Sequence, residues 1–295
     1  MSKSKFELTV IDIGAWGGVS SEWESIGDYT NIIGFEPDKK ECKRLNKLKN
    51  DKISSQKFYP LAVAGGLGSR NFYVTRRATV ASLVRPNQKA WKLYGIPGSE
   101  RNRRAEVKKI IKVSTTTLDN FCDKENIKPD FLKIDTQGSE LEIIKEGFSK
   151  NIKNLIGIEI EVEFIPLYKD QPLFSEIEQY LRQHDFELFG LKRHMWKMHN
   201  GTTVTKKSGG RITFADALFF NKKIFQKNTD TYAIKAALLA YRHGLNDLVE
   251  YILERNDIHS KFKQLVKKDK KGIIKKLKTK VRNQYIVNFD KHYGF

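Results

Sequence analysis

Apolar runs too short to be helices alternate with segments of helical period through most of the chain. Phe6 to Ile13 reads as a first strand, Asn31 to Phe35 as a second and Phe58 to Ala64 as a third. Asp130 to Ile134 and Asn154 to Glu163 follow as a fourth and a fifth. Between them lie a short helical stretch near Ser20 to Ile26, a helix over Asp38 to Leu48, and another over Leu118 to Glu125. A further helix opens at Ser139 and ends at Gly147, and Phe174 to His184 carries Phe174, Ile177 and Leu181 on one face. Thr115-Thr116-Thr117 offers N-cap hydroxyls ahead of Leu118. Ser139 stands three residues before Glu142, the spacing of a capping box. Asn71 to Thr75 and Ile110 to Ser114 flank a long polar insertion, and Phe186 to Leu191 and Arg211 to Phe220 close the sheet as neighbours. Strand alternating with helix predicts an α/β fold, a mostly parallel sheet with helices on both faces.

Beyond the last strand the pattern changes. Tyr232 to Glu254 reads as one or two helices interrupted near Gly244, and residues 261–282 as a lysine-rich helix with Phe262, Leu265, Val266, Ile273, Leu277 and Val281 along one side. The expected division is a domain over 1–224, with a basic insertion at 70–112, and a helical extension over 225–295. Net charge is +19, and it is concentrated. Residues 70–112 hold 12 Lys and Arg against Glu100 and Glu106, and residues 261–282 hold 11 against Asp269 alone. The body is near neutral. Such segments suit an anionic or carbohydrate acceptor, and the second suits peripheral contact with an anionic membrane. Phe72, Tyr73, Trp91 and Tyr94 within the insertion offer stacking surfaces for a sugar or a base. Cys42 and Cys122 fit neither a disulfide framework nor a zinc spacing. The opening residues lack a signal-peptide core and no run is long enough to span a bilayer, so a cytoplasmic protein is expected.

Three strands end in a carboxylate. Val10-Ile11-Asp12-Ile13 leads into Gly14-Ala15-Trp16-Gly17-Gly18, Ile32-Ile33-Gly34-Phe35 leads to Glu36, and Phe131-Leu132-Lys133-Ile134 leads to Asp135. Ligands of open α/β sheets lie beyond the carboxyl ends of the strands. The glycine turn is not the G-x-G-x-x-G of dinucleotide enzymes, which seats a pyrophosphate. An acid before the loop suits a ligand that brings positive charge. Glu36, 22 residues after Gly14, stands where an acid accepts hydrogen bonds from ribose hydroxyls. A Gly14 without Cβ lets the backbone approach that ligand closely.

Together these segments resemble the FkbM-type methyltransferases. The resemblance is carried by Asp12-Ile13-Gly14-Ala15-Trp16-Gly17, Gly34-Phe35-Glu36-Pro37-Asp38, Thr116-Thr117-Leu118-Asp119-Asn120-Phe121 and Leu132-Lys133-Ile134-Asp135-Thr136-Gln137-Gly138-Ser139-Glu140. Phe164-Ile165-Pro166-Leu167-Tyr168 and Ala215-Asp216-Ala217-Leu218-Phe219 extend it, and Ser82-Leu83 matches a pair found in the family. Trp16 departs from the family, which more often has a small polar residue there. The resemblance implies a class I, Rossmann-like methyltransferase that uses S-adenosylmethionine, and O-methylation of a sugar or glycan hydroxyl.

On this reading Asp12, Gly14, Ala15, Trp16, Gly17, Glu36, Pro37 and Asp135 bind the cofactor. Asp135, Glu161 and Glu140 are the catalytic candidates, because a sugar hydroxyl must lose its proton. Glu159, Glu161 and Glu163 share one strand face, which must open to solvent or be compensated by basic groups or a cation. A divalent cation is the minority alternative and is not called for. Asp216 is expected to pair with Lys192, Arg193 or Arg211, and nothing in the spacing selects His194 or His199 as a base. The competing class is a nucleic-acid-binding protein or RNA methyltransferase using the basic insertion and tail. Nucleic acid ranks lower as a partner, since Asp135-Thr136-Gln137-Gly138 is not the Asn/Asp-Pro-Pro-Tyr pattern of amino-methylating DNA enzymes.

Overall fold

A computed structural model of the chain describes residues 6–94, 103–197 and 210–262. Ten strands are present among the described residues: β1 (Leu8–Ile13), β2 (Thr30–Phe35), β3 (Ser55–Tyr59), β4 (Ala62–Val63), β5 (Gly68–Thr75), β6 (Val107–Thr116), β7 (Phe131–Ile134), β8 (Gly157–Glu163), β9 (Phe186–Trp196) and β10 (Arg211–Asn221). The α-helices among the described residues are α1 (Lys39–Lys47), α2 (Gln88–Lys92), α3 (Leu118–Glu125), α4 (Glu140–Lys145), α5 (Phe174–Gln183), α6 (Asp230–Arg242) and α7 (Asn246–Asn256).

The main sheet has seven strands in the order β3-β2-β1-β7-β8-β10-β9. Only β10 runs antiparallel, inserted between β8 and β9. The chain departs to opposite sides of β1, so the order reverses between β1 and β7. A crevice beyond the carboxyl ends opens at such a point. A second sheet, β4-β6-β5, overhangs those ends. The expected third strand is thus two strands in two sheets. Pro60, which has no N–H to give a ladder, falls at the break.

Each face of the main sheet is covered. Ile11, Ile13, Leu132, Ile134, Ile158 and Ile160 bury against α3, α4 and α5. Leu8, Val10, Phe131 and Phe220 bury against a 3-10 segment (Ser21–Tyr29) and against α6 and α7. Residues 230–262 therefore share one apolar cluster with the sheet. Gly244 has φ +74° and forms the turn between α6 and α7, where the sequence places an interruption. Phe262 is buried in the same cluster; the other apolar positions of the 261–282 stripe lie outside the described residues, as does His199. Among the described residues no helix is long and apolar enough to cross a membrane.

Caps follow the sequence in one place and not in another. The Thr117 hydroxyl accepts from the Asn120 N–H at 3.2 Å and starts α3. Ser139 makes no cap bond; its hydroxyl donates to Thr136 Oγ1 instead. Glu142 is drawn away from a capping box by the Gly65 N–H and by an ion pair with Arg70.

The ends of β1 and β7 approach each other very closely. A Cβ built on Gly14 would lie 1.9 Å from the Asp135 carbonyl oxygen, and Gly14 has φ +87°. Backbone clash and left-handed strain act together there. Gly14→Ala should cost roughly 3 kcal/mol or more, or prevent folding. Denaturant unfolding checks this; unchanged stability would show that the two strand ends are not packed as described.

Candidate functional site

The loop after β1 is pinned to its neighbour. The N–H groups of Gly14 and Ala15 both donate to the Phe35 carbonyl, at 3.1 and 3.0 Å. Gly14 lacks a Cβ for the sake of the Asp135 backbone, which corrects the expectation that the space serves a ligand. Ala15 turns into a small apolar cluster with Cys42, Leu45 and Phe58. Gly17 has φ +84° and donates to Glu41 Oε1 at 3.1 Å. Trp16 is 41% exposed and stands on the rim.

A cleft lies above the β1–β7 crossing. Gly14, Trp16, Glu36, Pro37 and Asp135 line it, five of the eight positions expected to hold a cofactor. Asp12, Ala15 and Gly17 do not line it. Its roof is apolar and comes from the overhanging sheet and the segment after it: Phe72, Val74, Ile111 and Leu83. The basic insertion thus turns its apolar side to the cleft, while Lys108, Lys109 and Lys112 of β6 are exposed. Trp91 and Tyr94, expected as stacking surfaces, are buried instead against Tyr168 and Trp196, and the Arg104 guanidinium lies over both tryptophan rings.

The charged groups on the wall are Glu36, Asp38, Asp135 and Lys133. Glu36 Oε1 accepts from the Asp38 N–H at 2.7 Å, and Oε2 has no partner among the described residues. Burial first, then the negative charges of Asp38, Glu41 and Asp12, push its carboxyl up to about 7. Asp12 is buried under the cleft, with Lys133 Nζ 3.2 Å from Oδ1. The charge expected to meet a ligand is therefore already met by the chain. Burial works against the Lys133 charge, but Asp12, Asp135 and Glu159 outweigh it and hold the ammonium above its usual range.

Of the three catalytic candidates, only Asp135 reaches the cleft. Gln137 Nε2 donates to Asp135 Oδ1 at 2.7 Å and also to Glu161 Oε2. Gln137 Oε1 lies 2.6 Å from the Tyr168 hydroxyl. Gln137 takes φ +63°, and the Ser82 hydroxyl donates to its carbonyl at 2.7 Å. Glu161 is buried behind this amide, and burial, Asp135 and Glu163 raise its pKa well above the carboxylate range. A protonated, enclosed acid is a poor base, so the catalytic expectation for Glu161 is corrected. Glu140 is corrected too. It accepts from the Thr136 N–H and hydroxyl and from the Gly138 N–H, all at 2.8–2.9 Å, and so ties the loop that precedes it. Burial raises its pKa to about 7.

The three glutamates of β8 do share a face, and each has a different environment. Glu159 pairs with Arg242 at 2.8 Å, Glu161 meets Gln137, and Glu163 Oε2 is buried without a partner. Burial and Glu140 raise the Glu163 pKa well above normal. Among the described residues no group of His, Cys, Asp or Glu is arranged to hold a metal ion. Asp216 lies 3.8 Å from Lys192 and 3.4 Å from His194 Nε2, and the His194 ring stacks on Phe214 at 4.4 Å. Gln137 and Lys133 escape a reading based on strand-terminal acids, although both sit inside the most specific motif. Their signal is a polar side chain in a run that is otherwise apolar or acidic.

A reversed strand order with a cleft over its switch point, an acid at the end of β2 and a second acid at the end of β7 define an open α/β protein with its candidate ligand site beyond the carboxyl ends of the strands. The chain belongs to the FkbM methyltransferase family: the family described as Methyltransferase FkbM domain matches residues 12–188. No curated protein is matched. Among solved structures the chain is similar to a methyltransferase FkbM from Methylobacillus flagellatus KT, with 15% identity and a TM-score of 0.40 over 72% of this chain. The match spans 43% of the length of that protein. It is also similar to a SAM-dependent methyltransferase from Methanosarcina mazei, with 10% identity and a TM-score of 0.33, over 74% of this chain and 95% of the other.

Two outcomes follow from the charges. The folded protein holds the Glu36 proton up to about pH 7, whereas an unfolded glutamate releases it near 4.5. The cost of the ionised side chain is absent below the lower value, grows between the two and is complete above the upper one. Glu36→Gln should therefore stabilise the free protein by up to about 3 kcal/mol at pH 8, and not at pH 4. Asp12→Ala leaves the Lys133 ammonium without its nearest partner and should cost about 3 kcal/mol of stability. Denaturant titrations at both pH values test the two substitutions.

Proposed function

We propose that the protein is an S-adenosylmethionine-dependent O-methyltransferase acting on a hydroxyl of a sugar or glycan-containing acceptor. The observation that carries the donor assignment is the charge of the cleft. Three carboxylates and one already-paired ammonium line it in a chain of net charge +19. Such a wall repels the pyrophosphate of a dinucleotide and favours a cationic ligand. Glu36 keeps one oxygen without a protein partner where ribose hydroxyls would donate, and the apolar roof suits a base. Family membership agrees with this donor.

When bound, the donor supplies a methyl group already activated on a sulfonium. The protein's contributions are position, exclusion of water and removal of one proton. Asp135 is the acid on the cleft wall suited to take that proton from the acceptor hydroxyl. Gln137 fixes Oδ1 of Asp135 and leaves Oδ2 for the hydroxyl. Tyr168 and Ser82 in turn fix Gln137, its side chain and its carbonyl respectively. Glu36 and Trp16 hold the nucleoside end.

Glu36→Ala should weaken S-adenosylmethionine binding at least tenfold, ~1.4 kcal/mol, by calorimetry. Asp135→Asn should lower turnover far more than donor affinity. The opposite ranking would make Asp135 a donor ligand, and a wild-type protein that does not bind the donor would end the assignment. Incubating the protein with labelled S-adenosylmethionine and a panel of glycans, lipids and RNAs tests the acceptor class. Label on RNA alone would favour the nucleic-acid alternative.

A further inference from the structure

A second cavity, of about 260 Å³, opens on the α6 side of the sheet. Its polar groups are Glu22, Glu159, Lys192, Asp216, Arg242 and His243. Arg242 lies 2.8 Å from Glu159 and 3.3 Å from Glu22, and Lys192 lies 3.8 Å from both Glu22 and Asp216. Burial, reinforced by Arg242, drives the His243 pKa down to about 2, so the imidazole is neutral. Three acids against two cations leave the cavity one charge negative. Every ion already has an opposite partner.

One polar row lies between this cavity and the cleft, and its middle member, Glu161, is buried. Gln137 joins Asp135 to Glu161, and Glu161 faces Asp216 in the β8–β10 register. Asp135 and Asp216 stand two strand spacings apart, roughly 10 Å. That is about the end-to-end length of two linked sugar rings, more than a single ring spans. Leu218 supplies an apolar floor, and Gly190 beside it leaves that floor uncovered.

We propose that this cavity is an acceptor subsite for an uncharged, hydroxyl-rich ring, the residue next to the one that is methylated. The inference rests on the methyl-transfer reading and deepens it. Paired carboxylates keep lone pairs for hydroxyl donors, and a neutral ligand leaves no ion without its partner. An anionic ring meets the surplus negative charge. A cationic ring has to displace Lys192 or Arg242. Polar groups around an apolar floor match a ring with hydroxyl edges and a C–H face.

Gly190 gives the test. A Cβ there would meet only Leu218, at 3.6 and 3.9 Å, which is ordinary contact. Gly190→Phe should fill the cavity from an edge strand without touching the donor cleft. Saturation-transfer NMR with neutral mono- and disaccharides, and with glucosamine and glucuronate as charged controls, is recorded without donor. At least one neutral saccharide should bind, with affinity reduced at least tenfold by Gly190→Phe and at least threefold by Asp216→Asn. Glucuronate should bind more weakly than the neutral rings. Absence of neutral binding, a preference for either charged sugar, or affinity unchanged in Asp216→Asn would overturn the proposal; that variant decides if Gly190→Phe does not fold. Donor affinity, measured separately by calorimetry, should equal wild type in both variants. Failure of the wild type to bind donor would remove the methyl-transfer reading while leaving the saccharide result readable.

Discussion

Everything at the site depends on how closely two strand ends approach each other. The end of β1 and the residue after β7 meet backbone to backbone, because Gly14 offers no side chain to keep the Asp135 carbonyl away. The same loop is hydrogen-bonded to the end of β2 through the Phe35 carbonyl. Three strand ends are thereby held in one plane of the molecule, and the acids that follow two of them, Glu36 and Asp135, face a common cleft. Without that approach the overhanging sheet would have nothing to roof.

Charge at the site runs against charge on the surface. The chain carries a large positive excess, yet the wall of the cleft and the second cavity are each net negative. The acids of β8 are handled in three ways: Glu159 by a guanidinium, Glu161 by a side-chain amide, and Glu163 by retaining its proton. Only the first keeps a full charge in the interior.

The sheet was legible because its central strands are mostly apolar or alternate apolar with polar residues, and its helices keep one face apolar. Every main strand except the third lies within a few residues of its expected span. The third was misread because two strands of different sheets abut at Pro60. Glu36 and Asp135 could be found from their place at strand ends. Asp12 could not be separated from them, because its partner Lys133 lies 121 residues away and only the β1–β7 register brings the two together. Trp91 and Tyr94 look like surface aromatics within a basic stretch; a packing partner as remote as Trp196 is invisible to local pattern. Glu140 belongs to a motif, but its work, holding the preceding loop through three donors, depends on a backbone turn that sequence does not display.

Arg242 sits at the last turn of α6, well past the final strand. Its guanidinium is 2% exposed, rests 4.1 Å above the Trp23 ring and reaches Glu159 in the middle of the sheet. A shortened protein ending at residue 224 would retain every described strand and every residue that lines the cleft. It would also strand Glu159 inside without its counter-ion and uncover the apolar surface of Val10, Phe131 and Phe220. The apolar core on this face of the sheet therefore extends well past the last residue that lines the cleft.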